Sequence, residues 1–163
     1  LKSSLKCFKC NLTAADLEGA VLPGADLTGA DLTEANLFRT NLAGATLRSA
    51  VLTKSIPMLT NLTGADLSGV NLIEAYMEDA NLQDANLTGA DLTKAYLEAT
   101  DLTGANLTQA NFTGAFLEGV NLENADLTDA VLTDTKLDRV KNLNTAILRR
   151  TTMPDATVNN SGC

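Results

Sequence analysis

Small and large apolar residues recur along this chain with a period of five. From Ala80 to Ala110 it reads Ala-Asn-Leu-Gln-Asp, Ala-Asn-Leu-Thr-Gly, Ala-Asp-Leu-Thr-Lys and onward in the same style. Five matches neither the alternation of a half-buried strand nor the 3.6-residue face of a helix, so neither regular element explains it. Centred on the large residue, the repeat runs from Leu12 to Leu137 through 26 positions, and only Pro57, Met77 and Phe112 are not leucine. Two residues before each centre stands Ala or another small residue. Side chains two apart on an extended chain point the same way, so both positions face inward. The Asn/Asp and Thr/Gly positions between them face water or turn.

A segment that turns inward every five residues cannot bury its leucines alone. It must coil, and successive coils must stack through backbone ladders. Sorting the chain by twenty exposes columns. Gly24, Gly44, Gly64 and Gly104 form one, and Gly29, Gly69 and Gly89 another, which predicts corners of positive φ such as type II turns. The corresponding corner of the first face carries Glu34, Lys54, Glu74 and Lys94, which calls for a turn that tolerates side chains. The alternating signs of that column suit vertical neighbours. Thr13, Thr33, Thr53, Thr93, Thr113 and Thr133 form a further column, expected to be an exposed, solvated β surface.

The Ala-Asp-Leu-Thr-Gly repeats resemble the pentapeptide-repeat protein family, from Cys10 to about Asp138. The resemblance implies an all-β solenoid, a right-handed quadrilateral β-helix with four repeats per coil and the central leucines in interior ladders. Residues twenty apart are then vertical neighbours at ~4.8 Å, the ordinary strand spacing. The expected organisation is an N-terminal cap over 1–9, the repeat rod over 10–138, and a last irregular coil with a C-terminal cap over 139–163. Leu1 and Leu5 suit a short helical turn over the bottom. After Asp138 the phase slips by one residue, making Leu143, Leu148, Met153 and Val158 the large positions. Residues 139–143 are open to either a last strand-like coil or a short helix.

One face departs from the other three. The residue before the centre, normally Asp or Asn, reads Asp16, Asn36, Ile56, Tyr76, Tyr96, Phe116, Lys136 on the second face. Phe38, Met58 and Leu59 add further apolar side chains there, and Glu78, Glu98 and Glu118 follow their centres in a column of like charge. Stacked rings can simply stabilise a ladder. An apolar stripe beside an acidic one also suits a protein partner or a second copy of the chain. Pro57 cannot donate a ladder hydrogen bond, so a bulge is expected around Ser55–Leu59.

Composition narrows the chemistry. Twenty Asp and Glu against 12 Lys and Arg leave a net charge of −8, which argues against direct binding of nucleic acid. No histidine is present, and the convex rod gathers no nucleophile with a base, so an enzyme is not expected. No cofactor or metal is implied, and no apolar run approaches membrane-spanning length, so no membrane insertion is expected. Cys7 and Cys10 both fall on inward positions. Zinc would need two further ligands, and redox chemistry a following helix, which leaves buried thiols and a capping disulfide as the two readings. Cys163 lies some six coils away, ~30 Å, beyond reach of Cys7.

A non-enzymatic structural or protein-interaction module is therefore the leading functional expectation. The family resemblance adds two others. Some members modulate DNA gyrase by imitating duplex DNA, although this chain has neither a loop interrupting the repeats nor a clear C-terminal dimerisation helix. The Cys-x-x-Cys and the tail from Thr151 resemble cyanobacterial members, many of them exported to the periplasm or thylakoid lumen.

Overall fold

The computed structural model describes residues 5–161. Parallel bridges join residues twenty apart: Lys6 with Asp26, Asn11 with Asp31, Asp16 with Asn36, Val21 with Asn41, and so on up to Asn121 with Lys141. Four pentads thus complete one coil, and the chain climbs as a four-sided stack. The bonds are regular. The N–H of Leu27 donates to the carbonyl of Thr46 one coil on (2.7 Å), and the N–H of Asp31 donates to Cys10 one coil back (2.9 Å).

Each corner is closed by the carbonyl of the centre, which accepts the N–H three residues on, as Leu32 does from Ala35 at 3.0 Å. The residue two after the centre is left-handed at every corner from Lys9 to Arg139, with φ between 51° and 69°. Positive φ at that place in a four-residue turn marks type II. The separate turn type expected for Glu34, Lys54, Glu74 and Lys94 does not exist: their φ values of 56–59° match those of the glycine corners. A side chain there costs on the order of 1 kcal/mol. Ladder bonds such as Glu34 N–H to Thr53 O, at 2.9 Å, hold the backbone regardless.

The leucines and alanines between Ala25 and Leu132 form one continuous core, with Met77 and Phe112 stacked in the same columns. Hydroxyls at inward small positions are satisfied by carbonyls, those of Ser55 and Thr135 by Leu52 and Leu132 of their own turn (2.7 Å) and others by the coil below. Thr40 donates to Leu17 (2.8 Å), Thr60 to Leu37 (2.6 Å) and Thr100 to Met77 (2.9 Å). Left unpaired, each would cost roughly 1–3 kcal/mol.

The bulge expected at Pro57 is absent. Among the described residues no bridge joins Ile56 to Tyr76, because Pro57 has no N–H to offer. The bonds on either side, Tyr76 N–H to Ser55 (2.9 Å) and Leu59 N–H to Glu78 (3.1 Å), keep the twenty-residue step. One hydrogen bond is lost and the register is not.

At the C-terminal end the step lengthens to 21 residues, Asp126 with Ile147 and Val131 with Thr152. The extra residue is taken up by a short 3-10 helix, Leu143–Thr145, entered through Asn142 at φ 58°. Two strands follow, β1 (Thr151–Thr152) and β2 (Val158–Asn159), paired antiparallel with Thr152 opposite Val158. The tail is therefore both helical turn and hairpin. Leu148 is buried in the expected phase, whereas Val158 is 59% exposed. At the other end the ladder already includes Lys6, and a disulfide links Cys7 to Cys10. Most of the helical turn expected there, and Cys163, lie outside the described residues.

Candidate functional site

On three faces the residue before the centre serves the backbone, except at Val21, Thr46, Val51 and Val131. The side-chain oxygen of Asp31 accepts the N–H of Thr33 (3.0 Å), Asn81 that of Gln83 (3.0 Å) and Asp101 that of Thr103 (3.0 Å). These are Asx turns, in which a short polar side chain caps its own chain two residues on. The threonine column is not a loose solvated wall. Thr33, Thr93 and Thr113 are half-buried and donate to Asp31, Asp91 and Asn111 at 2.6 Å. The signal was present in the sequence as Asp or Asn two residues before Thr.

The second face gives up that cap on four successive coils. Tyr76 and Tyr96 stack with ring centroids 4.9 Å apart and planes 2° from parallel, and Tyr96 stacks on Phe116 at 4.8 Å and 4°. Ile56, 38% exposed, continues the wall at one end. At the other, the Lys136 ammonium lies 5.6 Å from the Phe116 ring centroid. Tyr96 has a ring on both faces, so solvent meets only its edge and hydroxyl. Flat stacking of a nucleobase needs an exposed aromatic face, and Tyr96, enclosed on both sides, offers none. Phe38 is likewise covered, by the Arg39 guanidinium at 4.8 Å, while Met58 is half-buried and Leu59 exposed.

A groove of about 620 Å³ runs along this wall. One side is formed by Tyr76, Tyr96 and Phe116, and the other by Glu74, Lys94, Gly114 and Asp134 at the preceding corner, with Thr93 and Thr113 contributing to its lining. Glu78, Glu98 and Glu118 follow the rings in sequence and stand on the opposite flank. The structure thus brings the rings together with a corner of mixed charge that sequence reasoning had assigned only to the ladder. Gly114 lines the groove without a side chain, and a Cβ there would make only an ordinary contact, 3.5 Å from Cγ of Lys94. Glu74 pairs with Lys54 at 3.7 Å, while among the described residues Lys94 has no ion pair.

The acidic column is uneven. Arg139 pairs with Glu118 at 3.1 Å. Glu78 keeps Oε2 buried without a hydrogen-bond partner. Burial pushes its carboxyl above the usual range; its own backbone N–H pulls it down, and Glu98 and Asp79 add to the rise. Asp101 on the neighbouring face goes the other way. Burial raises it, but hydrogen bonds from Thr103, Gln83 and Asn121 outweigh that and hold it low. Among the described residues no group of three His, Cys, Asp or Glu is placed to hold a metal, and no helix is long and apolar enough to cross a membrane.

No curated protein matches the chain. Solved structures do. HetL, a protein involved in heterocyst differentiation regulation in the cyanobacterium Nostoc sp. strain PCC 7120, is 31% identical over 96% of this chain and 82% of its own, with a TM-score of 0.46. Rfr23 from the cyanobacterium Cyanothece 51142 is 27% identical over 83% and 90%, at 0.54. QnrB1, a plasmid-mediated fluoroquinolone resistance protein, is 20% identical over 83% and 78%, at 0.74, a likeness of fold alone. The family profile Pentapeptide repeats matches eight copies, over residues 10–48, 30–56, 60–98, 80–119, 90–129 and 105–141. With the five-residue period, the twenty-residue ladder and these matches in agreement, the chain belongs to the pentapeptide repeat family.

Proposed function

We propose that the protein is a non-enzymatic interaction rod, a right-handed quadrilateral β-helix over 10–138 with caps at 1–9 and 139–163. It binds a protein partner along the wall of Ile56, Tyr76, Tyr96 and Phe116 and the groove beside it. The observation that carries this reading is the loss of the Asx cap on four consecutive coils in favour of large apolar side chains. Aromatic residues are enriched at protein interfaces, and ring edges beside a groove of mixed charge suit a peptide surface. Phe38, Met58 and Leu59 extend the apolar area towards the N-terminal coils. The groove carboxylates Glu74 and Asp134 stand three coils apart, ~14 Å at the strand spacing, with no histidine between them, so they form no acid–base pair. The Cys7–Cys10 disulfide staples the first corner and suits an oxidising compartment such as a periplasm or thylakoid lumen.

A photo-crosslinking residue at position 96, compared with one at position 86 on the opposite face, tests the reading in extracts of the source cell. A partner captured from 96 alone, and lost in the Tyr76→Ser/Tyr96→Ser protein with an unchanged circular dichroism spectrum, is the expected outcome. Equal capture from both positions would remove it.

A second reading, modulation of gyrase or another DNA-binding protein by DNA mimicry, draws on the net charge of −8 and the column of Glu78, Glu98 and Glu118. That column offers one carboxylate per ~4.8 Å, against one phosphate per about 3.4 Å of each DNA strand, and Arg139 offsets its last member. The wall is therefore preferred. Inhibition of supercoiling by sub-micromolar protein would reverse the preference.

A further inference from the structure

The corner column Glu34, Lys54, Glu74, Lys94 reads the same when one copy is turned end over end and its signs are matched. We propose that this corner and the adjoining wall pair with a second copy of the chain, laid antiparallel about a two-fold axis between the Lys54 and Glu74 coils. Glu34 then faces Lys94 of the second copy, Lys54 faces its Glu74, and each pair occurs twice. In the single chain only the inner two charges are matched, Lys54 with Glu74 at 3.7 Å. Among the described residues neither Glu34 nor Lys94 has an ion-pair partner, so the outer charges are those left for another molecule.

The same axis brings Ile56, 38% exposed, against Tyr76 of the second copy, 41% exposed. On the far rim it brings Arg39 level with Glu98. It sets Met58 rather than Glu98 opposite Glu78; Glu18, which follows the centre Leu17 on the same face, is the one carboxylate of the column to meet another, Glu118, at the ends.

Spacing selects this occupant. The rungs repeat at the 4.8–4.9 Å seen between the stacked rings. A helix repeats every ~5.4 Å along its axis, and a strand shows same-side residues every ~6.7 Å. Over three rungs a strand slips by ~5.7 Å, more than a full rung, and a helix by ~1.8 Å, whereas a second copy stays in step throughout. The contact from Glu34 to Lys94 spans only ~14 Å of rod. It therefore falls below the roughly 1,000 Å² of a stable interface and makes a reversible, salt-sensitive dimer.

The pairing goes beyond the partner-binding reading and fails separately from it: a monomeric protein that still crosslinks a partner through position 96 would end the first and leave the second. The test is sedimentation velocity over a concentration series at low and high salt. Wild-type protein should shift from monomer to dimer with concentration at low salt and lose the shift at high salt. Glu34→Lys/Glu74→Lys and Lys54→Glu/Lys94→Glu should each stay monomeric, and their equimolar mixture should dimerise again. Carbodiimide should join Glu34 to Lys94 between chains, since three coils separate them within one. The quadruple Gln variant, which stacks no like charges, should also stay monomeric and guards against misfolding of the reversed proteins. A monomeric wild type at all concentrations, dimers of either reversed protein alone, or a mixture that stays monomeric overturns the proposal.

Discussion

Two neighbouring faces of one rod use the same backbone for opposite ends. On the face of Asn41, Asn61, Asn81, Asp101 and Asn121, the residue before each leucine turns its carboxylate or amide back onto its own chain, as Asn41 does for Ala43 at 3.1 Å and Asn121 for Glu123 at 3.2 Å. On the face of Ile56, Tyr76, Tyr96 and Phe116 the cap is gone, yet the ladder keeps its register and loses only the bond at Pro57, with Tyr96 N–H to Ala75 at 2.9 Å and Leu97 N–H to Phe116 at 2.9 Å. Local capping is therefore dispensable once the coils are stacked. A face that gives it up can offer apolar side chains to another molecule.

The largest test asks whether the two faces share one core. Leu97→Ala beneath the rings and Leu102→Ala beneath the Asn face should each cost ~2–5 kcal/mol in denaturant unfolding, because both leucines are fully buried. A much smaller cost at Leu97 would show that the wall is loosely seated.

Next come the outward residues themselves. Tyr96 has a ring above and below, so Tyr96→Ala should lose about 1–3 kcal/mol, two stacking contacts of about 0.5–1.5 each. Tyr96→Asn should recover about 1 kcal/mol of that by capping the N–H of Glu98, and Asn81→Ala should lose a similar amount on the other face. If Tyr96→Asn is no better than Ala, the cap has no value of its own.

The corners should respond alike on both faces. Ala99→Gly, at φ 56°, should stabilise by about 1 kcal/mol, and Gly64→Ala, at φ 62° with open space around it, should destabilise by about as much. Thermal melts of the two variants check the symmetry.

The smallest effects divide by pH. The folded Glu78 carboxyl is raised, so the native state holds its proton to higher pH than the unfolded chain, and stability falls as pH rises through that range. Glu78→Gln should melt higher than wild type at pH 7, with the gain vanishing below about pH 4 where both states are protonated. Asp101 has the opposite sign. Its lowered carboxyl contributes stability above the usual aspartate range, and that contribution fades as pH falls through the folded value. Asp101→Asn should therefore cost most at neutral pH and least in acid.

Much of this architecture was legible in the residues alone. A small and a large residue two apart, repeated every five, leave a stacked coil as the way to bury Leu32, Leu52 and Leu72 together. The glycine columns at steps of twenty announce four corners per winding, and the run Ile56, Tyr76, Tyr96, Phe116 announces an unusual face. These features are local or strictly periodic, so the order of residues carries them.

Other features depend on where coils sit in space. Glu34 and Lys94 take the left-handed corner that their side chains disfavour, because ladder bonds from neighbouring coils outweigh a local cost of about 1 kcal/mol. Pro57 fits without a bulge because the coils on either side keep the register across one missing bond. The groove opens toward Glu74 and Lys94, not toward Glu78 and Glu98, because a turn of the coil, and not distance along the chain, decides which side chains flank the rings. Periodicity determined the rod; the shape of its surface was settled only when the coils were stacked.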